Sequence, residues 1–292
     1  MSGWRERVAA ALAWFCGWLV LAAVLVLLGF LLYRGWGSLS LRLIFGQTDP
    51  WAALTLSQRV LEGLFPALAG TVLVVLLSVG WALPVGIAAG IYLAEFAGRR
   101  FKALIGLCFD LLAAIPSIVI GLFGLTVTIF LHRIFWPSLG PCLLVSAFAL
   151  GILVLPYLVR TTQLALEGCP LLLRQTGLTL GASGLQNLWQ VVLPQSLPRI
   201  LGGVILSLGR AAEDTAVIML TGVVATAGLP ESLLDRFEAL PFYIYYLSAQ
   251  YSGPEELRSI FGAALLLLLI CSFLFVAAHL CRRLLARRWG VG

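Results

Sequence analysis

Six stretches of this chain run for about twenty residues or more almost without charge, and that pattern leaves few folds open to it. They extend from Val8 to Tyr33, Gly63 to Ala94, Leu111 to Leu131, Ile134 to Val159, around Ile200 to Val224 (broken by charges) and Ser259 to Leu280. About twenty apolar residues in a helix cross roughly 30 Å of hydrocarbon. Lipid offers no partner to backbone N–H and C=O groups, so each span must satisfy its own as a helix. The chain is 61% hydrophobic and only 11% charged, with a mean hydropathy of +1.03. Soluble domains carry about a quarter charged residues. The expected fold is an all-α polytopic membrane protein with about six transmembrane helices.

The first run has 26 uncharged residues, beyond the 7–15 of a signal-peptide apolar region, so it reads as a retained helix. Arg5 and Arg7 precede it, which favours a cytoplasmic N-terminus. With six spans, twelve Arg and Lys residues then fall inside and six outside (Arg34, Arg42, Arg59, Arg133, Arg236 and Arg258), with Arg210 left within a span. Both termini are expected in the cytoplasm, and the net charge of +6 is this orientation bias and not a nucleic-acid footprint.

One segment between spans is polar and structured. It reads Gln175-Thr-Gly-Leu-Thr-Leu-Gly181, followed at a fixed distance by Val191-Val-Leu193-Pro194, and it carries Arg174 and Arg199. Ser183 with Gln186 three residues on predicts a capping box opening a second short helix, Leu185 to Leu193. Gly181 is expected to allow the tight turn between the two arms. A connection this long is usually functional, and the physical reason for an amphipathic elbow outside the bilayer is that something docks there.

The spacing resembles the EAA loop of type I ABC importer permeases: a triplet, a Gly after three more residues, then Ile-x-Leu-Pro after nine more. Gln175, Thr176, Gly177, Gly181, Val191, Leu193 and Pro194 keep that register, although Gln replaces the acidic residue and Thr-Gly replace Ala-Ala. Two further segments are similar to the PstA-type permeases of phosphate-specific importers. One is Gly90-Ile-Tyr-Leu-Ala-Glu95 followed by Asp110-Leu-Leu-Ala-Ala-Ile-Pro116-Ser-Ile-Val-Ile-Gly-Leu-Phe123; the other is Leu208-Gly-Arg210-Ala-Ala-Glu213-Asp214-Thr215-Ala216. The second departs from the family pattern at Glu213, Asp214 and Val217. The resemblance covers roughly residues 64–280.

This resemblance implies a division into an N-terminal transmembrane helix with an outer loop (1–62) and a permease core (63–292), with the coupling loop at about 167–198. It implies docking of an ATPase at Gln175, Gly181, Leu193 and Pro194. The implied partners are a second permease subunit (PstC-like), two ATPase subunits (PstB-like) and an extracytoplasmic phosphate-binding protein (PstS-like). The implied activity is ATP-driven import of inorganic phosphate across the bacterial inner membrane. The chain has no GxxxxGK[ST] sequence, so ATP and Mg are expected on the partner ATPase, and no cofactor, metal or catalytic residue is expected here.

Arg210 is the most costly residue to place, since a mid-bilayer charge costs roughly 2.5–3.5 kcal/mol on insertion scales. Glu213 and Asp214 follow at three and four residues, within helical reach of its guanidinium. An Arg held by carboxylates can act as a gated oxyanion contact on a translocation pathway; it can equally be a salt bridge that fixes packing. Pro116 and Pro156 are expected to kink or loosen their helices. Asp110 is read as an orienting charge at a hydrated helix entry. The outer segment from Leu229 to Arg258, with clustered tyrosines, could meet a binding protein or simply be solvated. Cys16, Cys108, Cys142, Cys169, Cys271 and Cys281 form no CxxC pair and read as apolar packers. Alternatives to phosphate are phosphonate, sulfate or molybdate, and a more distant one is an intramembrane hydrolase using Ser117 or Ser207.

Overall fold

A computed structural model of the chain describes residues 2–51 and 63–288. Arg59 of the expected outer set lies outside them. The protein is all-α, with an isolated bridge between Val223 and Phe237 as the only β pairing among the described residues. Six helical stretches there are long and apolar enough to cross a membrane: Gly3–Trp36, Phe65–Phe96, Ser117–Ile134, Leu143–Glu167, Gly184–Glu213 and Pro254–Leu284.

The helices are α1 (Ser2–Trp36), α2 (Leu41–Phe45), α3 (Phe65–Ile91, prolonged by a π-turn Tyr92–Phe96), α4 (Arg99–Ala114), α5 (Ser117–Ile134) and α6 (Leu143–Glu167). They continue as α7 (Leu171–Thr179), α8 (Gly184–Asn187, with a π-turn Leu188–Val192), α9 (Leu193–Glu213), α10 (Thr215–Thr221), α11 (Leu240–Gln250) and α12 (Pro254–Arg288).

Three expected spans are corrected. The third, placed at Leu111 to Leu131, is two helices: Pro116 has no N–H to continue α4 and forces Ile115 into an extended conformation (ψ 131°). The fourth starts at Leu143 and not Ile134, because Pro137, Gly140 and Pro141 occupy the turn before it. The fifth is interrupted at Asp214, where the backbone is extended (φ −78°, ψ 109°) between α9 and α10. Pro156 lies within α6 without ending it.

α6 is the central post. α3 packs on one side of it, where Gly86 meets Leu158 and Gly90 meets Thr162 so closely that a Cβ at either glycine would collide. The Trp81 indole N–H donates to the Ala147 carbonyl across the same seam. α9 packs on another side, with Gly203 against Thr161. The α3/α6/α9/α10 seam holds the main core, including Val75, Leu150, Val154, Leu158 and Val217. α1 joins through α12, where Phe30 and Phe261 meet edge to face at 5.6 Å, and leaves most of its apolar surface open.

The segment between α10 and α11 folds back over the far end of α6. Leu143 and Leu144 N–H groups donate to the Asp235 and Leu233 carbonyls. The buried Glu238 carboxylate accepts the N–H groups of Ala227 (2.9 Å) and Gly228 (2.7 Å). Burial raises the Glu238 pKa above its ordinary 4.5, outweighing the two N–H bonds that favour the charged form. A carboxyl with a raised folded-state pKa holds its proton more tightly folded than unfolded. The local fold therefore loses stability as pH rises from 4.5 through the raised value. Hydrogen exchange at the Ala227 and Gly228 amides should accelerate across that window, and Glu238→Gln should flatten the dependence; an unchanged pH profile in Glu238→Gln would contradict this assignment.

Candidate translocation site and docking elbow

The break in the fifth span and the charged cluster coincide. Arg210 lies on the last turn of α9, Nη1 3.2 Å from Glu213 Oε1 and Nη2 3.7 Å from Asp214 Oδ2. The two carboxylates differ in kind. Glu213 is open, its side chain 64% exposed, whereas Asp214 is 4% exposed and also accepts the Val217 N–H (3.0 Å) as the N-cap of α10. Asp214 therefore fixes the break, satisfies one orphan donor of the second half-helix and holds one edge of the guanidinium. Glu213 holds the other edge from the open side. Arg210 Nε is buried without a partner among the described residues.

The register along α6 places this cluster at mid-height. At one end of α6, Arg199 donates to the Gly168 carbonyl (3.0 Å); at the other, the Cys142 N–H donates to the Thr221 carbonyl (2.9 Å). Arg210 is eleven residues from Arg199 and eleven from Thr221. The break after Pro116 lies close by, since Gly121 of α5 packs against Ala216 and Val217 of α10. Two spans are thus discontinuous side by side, an arrangement tolerated at membrane depth only where it is buried in protein or lines a cavity.

The elbow is built as two arms on a rigid base. α7 begins after Pro170, and α8 opens with the capping box read from sequence, in which Ser183 Oγ accepts the Gln186 N–H and Gln186 Oε1 accepts the Ser183 N–H. Gly181 takes φ +87° between them, a left-handed conformation that costs an L-residue about 1–2 kcal/mol. The second arm is not the separate helix Leu185 to Leu193: it runs through the π-turn directly into α9. Pro194 stands just after the π-turn and has no N–H to bond back into it, at the point where the ladder changes from π to α spacing.

The base is both polar and apolar. Arg174 grips Glu95 with two hydrogen bonds (2.8 and 3.2 Å) and donates to the Leu166 carbonyl. Asn187 Nδ2 donates to the Arg174 carbonyl (2.8 Å) and lies over Gly177, where a Cβ would strike its Oδ1. Leu166, Cys169, Leu188 and Val192 form a small core with Leu193 packed against it. Of the four residues singled out for docking, Gln175 and Gly181 are exposed, while Leu193 and Pro194 are half-buried. Exposed leucines that sequence reading passed over complete the outer surface: Leu178, Leu180 (82% exposed) and Leu185, with Trp189.

Sequence reading also missed the partner of Asp110. Arg160, fifty residues away on α6, donates to both Asp110 oxygens, with Nε at 2.8 Å from Oδ1. Lys102 pairs with Glu167 (2.6 Å) one step nearer the elbow, so α4 is clamped along the lower half of α6. The hydrolase alternative finds no support: Ser207 is buried and bonded to the Gly203 carbonyl, His132 contacts the Leu139 carbonyl, and His279 contacts Arg282.

Comparison with known proteins gives the family and the fold. Residues 86–289 match the family model of the binding-protein-dependent transport system inner membrane component. The chain is 26% identical over 289 residues to the probable ABC transporter permease protein YqgI of Bacillus subtilis, covering 94% of each chain. It is 33% identical to YqgH of the same organism, covering 77% of this chain and 72% of that one. It is 29% identical to the phosphate transport system permease protein PstA 1 of Mycobacterium tuberculosis (80% and 75%). Among solved structures, the inward-facing MetNI methionine ABC transporter superposes with a TM-score of 0.61 at 16% identity, over 82% of this chain and 99% of that one. A bacterial alginate ABC transporter bound to its periplasmic protein gives 0.60 at 17% identity, over 93% and 95%. The chain belongs to the inner membrane components of binding-protein-dependent transport systems: it is a multi-pass permease subunit of an ABC importer and performs no catalysis itself.

Proposed function

We propose that this permease subunit carries inorganic phosphate, with Arg210 as the anion contact on the pathway. The observation that carries the reading is a guanidinium at mid-height, beside two broken spans, held by one fixed and one open carboxylate. A tetrahedral oxyanion can replace Glu213 on the planar fork while Asp214 stays in place as the helix cap. Relatives named as phosphate transport permeases, PstA 1 of Mycobacterium tuberculosis and PstC of Mesorhizobium japonicum, support phosphate over phosphonate, sulfate or molybdate.

In this reading the chain lies with its elbow and both termini in the cytoplasm, as the arginine distribution favours. It pairs with a second permease subunit, two ATPase subunits that hold ATP and Mg, and an extracytoplasmic phosphate-binding protein. The exposed rim of Gln175, Leu178, Leu180 and Leu185 meets the ATPase, while Leu193 and Pro194 transmit the motion from beneath. Because α8 is continuous with α9, a displacement of the elbow acts directly on the helix that carries Arg210.

Arg210→Gln in the assembled complex should reduce phosphate uptake at least about tenfold, the scale of one charge-assisted contact, with subunit assembly unchanged. Normal uptake by a complex carrying Arg210→Gln would remove Arg210 from the pathway, and sulfate uptake outcompeting phosphate in the wild type would reassign the substrate. At the elbow, Gly181→Asn tolerates the left-handed turn and should keep most transport-stimulated ATP hydrolysis. Gly181→Arg combines backbone strain with bulk on an open surface and should abolish that stimulation while membrane insertion persists. Full stimulation in Gly181→Arg would exclude the elbow from coupling.

A further inference from the structure

At the end of the bundle opposite the elbow, where Gly35 packs closely on Phe261 and Leu265, α1 and α12 border a notch of about 530 Å³. Its walls are Tyr33 and Arg34 from the last turn of α1 and Pro254, Leu257, Arg258 and Phe261 from one face of α12. The spacing of the α12 residues, three and four apart, presents a single helical stripe to the notch. Below it the Phe30 and Phe261 rings close the seam, so the floor is aromatic and the mouth is cationic. Arg34 lies over the Phe30 ring at 5.8 Å from its centroid, and neither Arg34 nor Arg258 has an ion pair among the described residues. The acids nearest in sequence, Glu255 and Glu256, do not line the notch, and Glu256 is tied to the Ser252 N–H (2.8 Å).

Each arginine stands where an uncharged membrane run begins or ends: Arg34 follows Tyr33 at the close of the first, and Arg258 precedes Ser259 at the start of the last. A lone arginine there simply reaches to the headgroup region. Two that line one notch over aromatic rings do more: they give it two positive charges with no ion pair among the described residues, which an anion can neutralise. The apolar floor selects an anion with a hydrocarbon tail.

We propose that this notch binds the phosphate group of an anionic phospholipid, with Arg34 and Arg258 on the phosphate oxygens, Tyr33 at the glycerol level and an acyl chain against Phe261 and Leu257. The site ties α1, which is otherwise held mainly by α12, to the permease core. It is separate from Arg210 and does not depend on phosphate being the transported substrate.

The test uses the complete transporter complex purified in detergent and exposed to phosphatidylglycerol or phosphatidylcholine, with bound lipid counted by native mass spectrometry. Wild type should retain phosphatidylglycerol in preference. Arg34→Gln with Arg258→Gln should retain roughly 10- to 30-fold less, since a cation at the membrane surface contributes about 1 kcal/mol each. Arg34→Lys with Arg258→Lys, which keeps the charge, should recover much of the preference and shows that loss in the glutamine variant is not misfolding. Displacement of the lipid by millimolar inorganic phosphate would reassign the notch to free phosphate and overturn the lipid proposal, whereas retention supports it. Equal retention of phosphatidylglycerol by wild type and the double glutamine variant, or no preference over phosphatidylcholine in the wild type, would overturn the proposal.

Discussion

A guanidinium halfway along a membrane-spanning bundle dictates much of what surrounds it. Placing that charge costs roughly 2.5–3.5 kcal/mol unless the protein supplies partners. Here the supply comes from the chain itself, through Glu213 on the same helix and Asp214 at its end. The second of these partners requires α9 to stop, because Asp214 must leave helical geometry to cap α10. The interruption of the fifth span and the stabilisation of Arg210 are therefore one feature. The break at Pro116 beside it leaves α5 and α10 as a packed upper pair, while α4 is held to the lower half of α6 by the Lys102–Glu167 and Arg160–Asp110 pairs.

That division connects the elbow to the cluster. The elbow's base is stiff: a two-toothed Arg174–Glu95 pair, the Asn187 bond to the Arg174 carbonyl, and a small core of leucine, valine and cysteine. Its second arm has no joint between Gly184 and α9, so in the proposed mechanism force applied to that arm travels along a continuous helix to Arg210. In the proposed mechanism, ATP-driven movement at the elbow changes which side of the break is open, and Glu213, the exposed carboxylate, yields to the incoming anion.

Much of this was legible in the sequence. Runs of apolar residues gave the number of spans, Ser183 and Gln186 gave the capping box, and the i, i+3 and i+4 spacing gave the partners of Arg210. The breaks were harder to read. Apolar runs continue past Pro116 and resume after Asp214, so only the local chemistry of a missing N–H and a capping carboxylate marks where the helices stop. The Arg160–Asp110 and Arg174–Glu95 pairs join residues fifty or more positions apart and leave no periodic trace. The inward orientation of Leu193 was equally invisible, because the motif spacing records that a leucine is required and not which face it covers.

If Arg210 meets the transported anion, it is more than half of a packing bridge. Exchanging the charges of the pair, Arg210→Glu with Glu213→Arg, preserves an ion pair at the same spacing, and adding Asp214→Asn keeps a capping oxygen for the Val217 N–H while removing the like charge that the new carboxylate would meet. Uptake of labelled phosphate by membrane vesicles, normalised to assembled complex, measures the difference directly. The exchanged complex should assemble and still fail to transport; recovery of uptake to near wild-type rates would contradict the anion contact and leave Arg210 a structural residue.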